Sequence, residues 1–314
     1  MACRVCGNES GNRAWPTREM MFGTREAFEY LECSACGALG LLDPPSDPAE
    51  YYPDGYYSFA RLEPADEVSR RAELARRVVV DVALRSTAAA RVVAGFATLP
   101  DWVAWLRGSA TTSSAVLDFG CGSGGVLLSL RRNGFRRLAG YEPYGPGTVD
   151  YRNGVTIVDT LSALARRRFD VVFLNHAFEH LPDPDRGLEE ILALLDRDGS
   201  LVLRMPFADS FAWRTYRGDW VQLDAPRHVV LHTATSIRIL GERHGLEVVR
   251  DYRDSSARQF TGSEQYRRNI PLRDPRAASL FSADEVAEFG RQAAELNAAG
   301  DGDQGLVALC RRRG

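Results

Sequence analysis

The sequence predicts an α/β protein, in which a doubly wound and mostly parallel sheet follows a four-cysteine module and a helical lead-in. Three observations support this prediction. A glycine-rich turn at residues 120–125 directly follows a short apolar run, further apolar runs alternate with helical patterns beyond it, and two Cys-x-x-Cys pairs stand near the N-terminus. Continuous apolar runs are typical of strands that helices cover on both faces.

The first βα unit lies at residues 116–130. Residues 116–119 form its strand, the glycine turn follows, and the apolar run at residues 126–130 begins its helix. Glycine accepts positive φ and leaves no Cβ between the backbone and a ligand. Nucleotide-like ligands bind at such a turn, beyond the carboxyl ends of parallel strands. The motif alone leaves two alternatives open, a plain structural turn and a nicotinamide-dependent dehydrogenase.

The second strand, residues 137–141, is followed by Glu142. An acid that ends the second strand, about 20 residues after a glycine turn, can accept hydrogen bonds from ribose hydroxyls. Later apolar runs predict further strands at residues 157–159, 169–175 and 200–206.

Helices are predicted between and before these strands. The pattern at residues 188–195 indicates a helix that Asp198 and Gly199 would stop. Residues 66–107 form the helical lead-in, with Val78, Val82 and Phe96 among the candidates for its buried face.

The composition excludes some classes of function. The formal net charge of −3 over 314 residues gives no general attraction to nucleic acid. No early apolar run resembles a signal peptide, and no stretch is long enough to span a membrane. We therefore expect a cytoplasmic protein, in which disulfides are rare.

Four of the six cysteines form two pairs, each followed by glycine: Cys3 with Cys6, and Cys33 with Cys36. Four thiolates at this spacing suit a tetrahedral Zn²⁺ in a zinc-ribbon-like module. Four protein ligands leave no open position on the metal, so we expect a structural zinc. Redox or disulfide roles remain the alternative. Cys121 and Cys310 are interpreted as packing residues.

The motifs of the core together resemble those of the class I S-adenosylmethionine-dependent methyltransferases, which have a Rossmann-like doubly wound sheet. The resemblance rests on Asp-Phe-Gly-Cys-Gly-Ser-Gly at residues 118–124, Tyr-Glu-Pro at residues 141–143 and the stretch at residues 169–184. It covers about residues 114–252 and the final strand near residues 306–310. It implies that the chain is a methyltransferase enzyme that uses S-adenosylmethionine.

The resemblance also assigns roles to residues. The glycine turn would face the methionine part of the cofactor, Glu142 would hold the ribose, and Asp159 would lie near the adenine amino group. Asn175 and His176 would line the floor beside the sulfonium. The implied cofactor-binding residues are therefore Asp118, Gly120, Cys121, Gly122, Gly124, Glu142, Asp159, Asn175 and His176.

The chain divides into five predicted segments. These are a zinc-binding module (1–45), a linker and helical cap (46–113), the S-adenosylmethionine-binding core (114–252), an insertion that contributes to the acceptor site (253–304) and the final strand of the core (305–314). A tyrosine-rich stretch at residues 51–59 is interpreted as an anchor for the linker, or as a lid over the site.

Two long segments, residues 207–230 and 253–304, exceed the minimal fold and can supply an acceptor site. His228 is the preferred general base, because the ordinary pKa of histidine suits this role at neutral pH. His176, Tyr216 and Glu264 are the other candidates for catalysis. His180 is interpreted as structural. Arginines that could bind a phosphate or carboxylate are Arg214, Arg217, Arg227 and Arg267.

The four-cysteine head, the core and the Pro-Arg-His segment at residues 226–228 together are similar to zinc-containing bacterial sugar and natural-product C-methyltransferases. This similarity implies a small-molecule acceptor, such as a nucleotide sugar or a natural-product intermediate. The chain lacks the longer C-terminal domain of those sugar enzymes, so other acceptors stay open. The alternatives are a zinc-headed RNA methyltransferase and a non-catalytic cofactor-binding partner protein. Nucleic acid is not the expected partner, and the oligomeric state is left open.

Overall fold

The computed structural model describes residues 1–52, 58, 60, 62–63 and 69–312. The strands are β1 (Arg13–Arg18), β2 (Ala27–Glu32), β3 (Leu39–Leu41), β4 (Ala115–Phe119), β5 (Arg137–Tyr141), β6 (Val149–Asp150), β7 (Thr156–Val158), β8 (Phe169–Asn175), β9 (Leu195–Pro206), β10 (Val230–Leu231), β11 (Leu246–Arg253) and β12 (Gln304–Arg311). The α-helices are α1 (Arg70–Arg85), α2 (Thr87–Ala94), α3 (Trp102–Leu106), α4 (Gly125–Arg132), α5 (Pro184–Leu192), α6 (Phe211–Tyr216), α7 (Ala234–Arg243), α8 (Arg258–Arg267) and α9 (Ala283–Ala298).

The contacts divide the chain into two compact units. The first unit comprises Met1–Pro53, Phe178–Gly187 and Met205–Val307, and the second comprises Asp54–Ala177, Leu188–Arg204 and Ala308–Gly314. The five segments expected from the sequence, including an independent module at residues 1–45, stay a prediction.

The second unit is built on a sheet with the strand order β12-β9-β8-β4-β5-β7-β6. β4 pairs in parallel with both β5 and β8, β5 pairs in parallel with β7, and β8 pairs in parallel with β9. The central strands are buried along their length, because β4 and β8 carry apolar side chains on both faces. The predicted α/β fold class with a doubly wound sheet is confirmed.

The direction of winding reverses at β4. From β4 the chain moves outward through β5 and β7, and it then returns to the other side of β4 as β8 and β9. Ligands of open α/β sheets bind at such a switch point, outside the carboxyl ends of the strands. The glycine turn after β4, Glu142 after β5, Asp159 after β7 and His176 after β8 all follow carboxyl ends of parallel strands.

Two details of the second unit differ from the sequence-based expectations. The predicted stop at Asp198 and Gly199 is wrong, because these residues lie inside β9, where the β8–β9 register shifts between Phe169 and Val171. A Cβ on Gly199 would lie 3.0 Å from the carbonyl oxygen of Asp170, so the absence of a side chain permits this close approach.

The buried face of α1 also differs from the prediction. Val78 is 57% exposed and Phe96, beyond α2, is 91% exposed. The buried residues of α1 are Val80, Ala83 and Leu84, which share the i, i+3, i+4 spacing of one helical face. Val78 and Val82 lie on another face of the same helix, and the sequence pattern had predicted that this face is buried.

The first unit contains an antiparallel sheet in the order β1-β2-β3-β10. β1 and β2 form a hairpin in the sequence between the two cysteine pairs. Tyr30 of β2 is fully buried, and its hydroxyl lies 2.5 Å from the carbonyl oxygen of His228. The four-cysteine segment therefore supports the loop that carries His228. Among the described residues, no helix has the length and apolar character needed to cross a membrane.

Candidate active site and metal centre

The glycine turn after β4 packs closely against neighbouring residues at the switch point. Gly120 and Gly122 have φ of +77° and +53°, a region that residues with a side chain rarely adopt. A Cβ on Gly120 would lie 2.5 Å from the Cβ of Ala177, and one on Gly122 would lie 2.6 Å from the carbonyl oxygen of Ser58. Glycine is therefore required at both positions. Ser58 also accepts a hydrogen bond from the Ser123 amide over 2.7 Å, so Ser58 lies directly against the turn.

Two buried acids lie beside the turn. The Gly122 amide donates to Glu142 Oε2 over 2.9 Å, and the Tyr144 amide donates to Glu142 Oε1 over 3.1 Å. Asp118 is the last residue but one of β4 and is buried. Burial, and after it the charge of Glu142, raises the pKa of Asp118 to about 7. The structure thus brings Asp118, Gly122 and Glu142 together, as the resemblance implies.

Asp159 and Cys121 complete this side of the second unit. Asp159 follows β7, and its Oδ1 accepts a hydrogen bond from the Thr148 hydroxyl over 3.2 Å. Burial, followed by the charge of Asp118, raises the pKa of Cys121 well above its usual value. A raised pKa favours the neutral thiol of Cys121, which is the less nucleophilic form. Its sulfur packs against Gly140, where a Cβ would lie only 2.6 Å away.

A hydrogen-bonded cluster lies at the carboxyl ends of β8 and β9. His176 has a φ of +54°, and its amide donates to the carbonyl oxygen of Arg204 over 2.8 Å. Arg204 Nη1 donates to Asn175 Oδ1 over 3.0 Å and to His176 Nε2 over 3.2 Å. The guanidinium lies 4.7 Å from the ring centre of Trp105. Arg204 therefore orients both predicted residues, although the sequence argument did not identify it.

His228 lies in a buried part of the first unit. Its Nδ1 is 2.7 Å from the carbonyl oxygen of Gln222, and its Nε2 is 3.8 Å from Glu179 Oε1. Burial, and after it the neighbouring His180, lowers the pKa of His228 to about 4. The ring is consequently neutral at neutral pH. Because a carbonyl only accepts, Nδ1 carries the hydrogen and Nε2 keeps its lone pair.

Tyr216 and Glu264 form a separate pair in the first unit. Burial, followed by the charge of Glu264, raises the pKa of the Tyr216 phenol above its usual value. Arg267 lies over the Tyr216 ring at 4.4 Å and donates to Glu264 Oε1 over 3.3 Å. The phenol therefore stays protonated at neutral pH, and the carboxylate has a cationic partner.

The four arginines considered for anion binding have internal partners. Arg227 Nη2 lies 2.6 Å from Asp224 Oδ1 and 3.0 Å from Glu19 Oε1, with its side chain almost completely buried. The other contacts pair Arg214 with Asp301, Arg217 with Glu32 and Arg267 with Glu264. These contacts assign the arginines a structural role in the first unit.

Cys3, Cys6, Cys33 and Cys36 come together, with sulfur atoms within 4.8 Å of one another. The Cys3–Cys36 and Cys6–Cys33 sulfur pairs are 3.6 and 3.4 Å apart, and no disulfide joins them. A tetrahedral zinc with Zn–S bonds of about 2.3 Å places its sulfurs about 3.8 Å apart. The Val5 amide also donates to the Cys3 sulfur, and the Cys36 amide donates to the Cys33 sulfur. The donor set and spacing fit Zn²⁺.

Comparison with known proteins identifies the family of the core. The model of a family described as a methyltransferase domain matches residues 91–251, just over half of the chain. No curated protein matches the chain.

Solved structures of methyltransferases are similar to the chain at low sequence identity. Geranyl diphosphate C-methyltransferase from Streptomyces coelicolor A3(2) is 15% identical, with an alignment that covers 85% of this chain and 100% of that enzyme and a TM-score of 0.47. An S-adenosylmethionine-dependent methyltransferase from Mesorhizobium loti is 16% identical over 67% of this chain and 97% of that chain, with a TM-score of 0.42. With the family match over residues 91–251, the chain belongs to this family of methyltransferase domains.

Proposed function

We propose that this protein transfers a methyl group from S-adenosylmethionine to a small-molecule acceptor, a nucleotide sugar or a natural-product intermediate, with assistance from a base. The observation that supports it most is the pairing of the positive-φ turn at Gly120 and Gly122 with buried Glu142 at the switch point of a methyltransferase domain. When bound, S-adenosylmethionine supplies a methyl group on a sulfonium, which an acceptor nucleophile displaces in line.

The residues of the second unit have distinct tasks in this proposal. Glu142 accepts hydrogen bonds from the ribose hydroxyls. Each carboxylate oxygen can accept more than one hydrogen bond, so the two amide contacts leave lone pairs available. Asp159 lies near the adenine, and the glycine turn with Asp118, Cys121 and Gly124 faces the methionine part. Asn175 and His176, held by Arg204, line the floor near the sulfonium. Fixed orientation of the reactants accounts for much of the rate of such a displacement.

A small-molecule acceptor fits this chain better than RNA does. The net charge is −3, and Arg214, Arg217 and Arg227 of the long segments pair with acids of the protein. RNA-binding proteins present unpaired basic and aromatic surface instead. A C-methyltransferase-like sugar acceptor is supported by the sequence similarity of the four-cysteine head and the core.

The acceptor class is testable directly. The purified zinc-loaded protein is incubated with methyl-labelled S-adenosylmethionine and a panel of nucleotide sugars, natural-product intermediates and ribosomal RNA. We expect label in a nucleotide sugar or a related small molecule. Label in RNA alone would contradict the small-molecule proposal. Tight cofactor binding without turnover on any acceptor would favour the non-catalytic partner protein.

Glu142→Ala is expected to weaken S-adenosylmethionine binding by roughly tenfold or more, because losing a buried hydrogen-bond partner costs about 1–3 kcal/mol. Titration calorimetry measures the affinity. Glu142→Gln keeps the shape and one accepting oxygen, so its affinity should fall between those of the wild type and the alanine variant. Glu189→Gln, at an exposed acid of α5, is the matched control. Unchanged affinity in Glu142→Ala would remove this carboxylate from the binding site.

A further inference from the structure

A second group of metal-ligating side chains lies in the first unit, apart from the cysteines. Glu179, His180 and His228 each offer one ligand atom, and these atoms lie within 4.8 Å of one another. Glu179 and His228 are buried, and Glu179 Oε1 is 3.8 Å from His228 Nε2. Bonds of about 2.0–2.2 Å to nitrogen and oxygen place the ligand atoms of a tetrahedral zinc about 3.4 Å apart. The 3.8 Å separation of Glu179 Oε1 and His228 Nε2 is therefore close to that of two ligands of one ion.

The hydrogen bonds of the two imidazoles orient them as ligands. His180 Nδ1 is 2.8 Å from the carbonyl oxygen of Arg227, and His228 Nδ1 is 2.7 Å from that of Gln222. A carbonyl oxygen accepts only, so both Nδ1 atoms carry hydrogen, and Nε2 is the ring nitrogen left for a metal ion. Histidines that bind metals characteristically donate their other ring N–H to a carbonyl or carboxylate in this way.

Carboxylates lie beside His228 Nε2. Glu179 Oε1 and Asp224 Oδ2 are 3.8 and 4.0 Å from this nitrogen, and Asp224 also contacts Arg227. A carboxylate oxygen next to an imidazole nitrogen is a combination that binds zinc and related ions.

We propose that Glu179, His180 and His228 bind a divalent transition-metal ion of the Zn²⁺ type, at a site distinct from the four cysteines. Two imidazoles and one carboxylate are a ligand set that holds catalytic zinc and related ions. Three protein ligands leave open positions for a water or an acceptor oxygen. Metal binding uses the lone pair of His228 Nε2, so a bound ion and proton abstraction by this nitrogen exclude each other. Metal binding itself does not depend on the methyl-transfer proposal.

Metal stoichiometry tests this site with the full-length protein. After incubation with excess Zn²⁺ and removal of free ion, elemental analysis should find two zinc ions per wild-type chain and one in Glu179→Gln, His180→Gln and His228→Asn. The remaining zinc, held by the cysteines, reports that each variant is folded. His244→Asn changes a histidine that pairs with Asp185, and it should keep both ions.

Cobalt substitution assigns each ion to its site. Co²⁺ at the cysteines gives an intense thiolate charge-transfer band, whereas Co²⁺ at the second site gives only weak visible bands, which the three variants should lose. The affinity for this second ion should fall in each variant by more than the roughly 10–100-fold that loss of a supporting partner costs. One zinc in the wild type, or a second zinc that survives in both His180→Gln and His228→Asn, would overturn the site. One zinc per chain after loading, together with methyl transfer, would overturn the site and leave the methyl-transfer proposal intact. Two zinc ions per chain without methyl transfer to any acceptor would do the reverse.

Discussion

Cys33→Ser is expected to remove the structural zinc and to unfold much of the first unit. Zinc contributes about 10–16 kcal/mol to the folding of zinc-finger peptides, which is as large as the roughly 5–15 kcal/mol stability of a whole domain. The loss should spread beyond the cysteines. The Thr233 hydroxyl, which caps α7, donates to the carbonyl oxygen of Cys36 over 2.6 Å, and β3 pairs with β10.

Elemental analysis and thermal unfolding measure this effect. We expect loss of the cysteine-bound zinc and a fall of the melting temperature by roughly 10 °C or more, given about 2–4 °C per kcal/mol for domains of this size. Cys310→Ser, at a cysteine of β12 outside the cluster, should keep both the zinc and the melting temperature. Turnover by the folded fraction of Cys33→Ser should change far less than its yield. A folded wild type without zinc would refute the structural role.

The sequence predicted the second unit well because its signals are local. The runs of β4 and β8 are apolar on both faces, and glycines with positive φ follow β4. Such runs predict a strand that is buried on both faces. The helix α1 offered two apolar faces, one with Val78 and Val82 and one with Val80 and Leu84. Only the tertiary packing selects between them, so the helix was predictable and its buried face was not.

The same distinction applies to the candidate site. Glu142 was identified because its position at the end of β5 fixes its place at the edge of the sheet. Arg204 was missed, although one signal was present: it is a charged residue within the apolar run of β9. Its partners depend on the β8–β9 register, which sets Asn175 opposite Arg204.

The contact between Glu179 and His228 could not be predicted from the sequence either, since the two residues are 49 positions apart in the chain. Their approach depends on packing within the first unit, where the Val229 amide donates to the carbonyl oxygen of Glu179 over 2.8 Å. Contacts of this kind have no periodic or motif signal, because each partner looks ordinary in its own segment.

His228→Ala is expected to lower kcat by about 10²–10⁴ while leaving the affinity for S-adenosylmethionine nearly intact, because a positioned base contributes a factor of this size. The Gln222 carbonyl fixes the Nδ1–H form of the ring, so Nε2 is the atom that can take the proton of the acceptor. His228→Asn, which lacks a usable base, should lose as much activity. Steady-state kinetics with calorimetry of cofactor binding separate the two effects.

The pH dependence gives an independent check on His228. A base acts in its deprotonated form, and burial together with His180 lowers the pKa of His228 to about 4. Its lone pair is therefore present above pH 4 in the free enzyme, and kcat/KM should not fall between pH 8 and 5 through titration of this residue. The loss in His228→Ala should also shrink for an acceptor that is already deprotonated, because no proton then has to be removed. Near-normal kcat in both variants would transfer the role to His176, Tyr216 or Glu264. Loss of cofactor binding together with activity would instead make His228 a support for its loop, held there by Tyr30 of the four-cysteine segment.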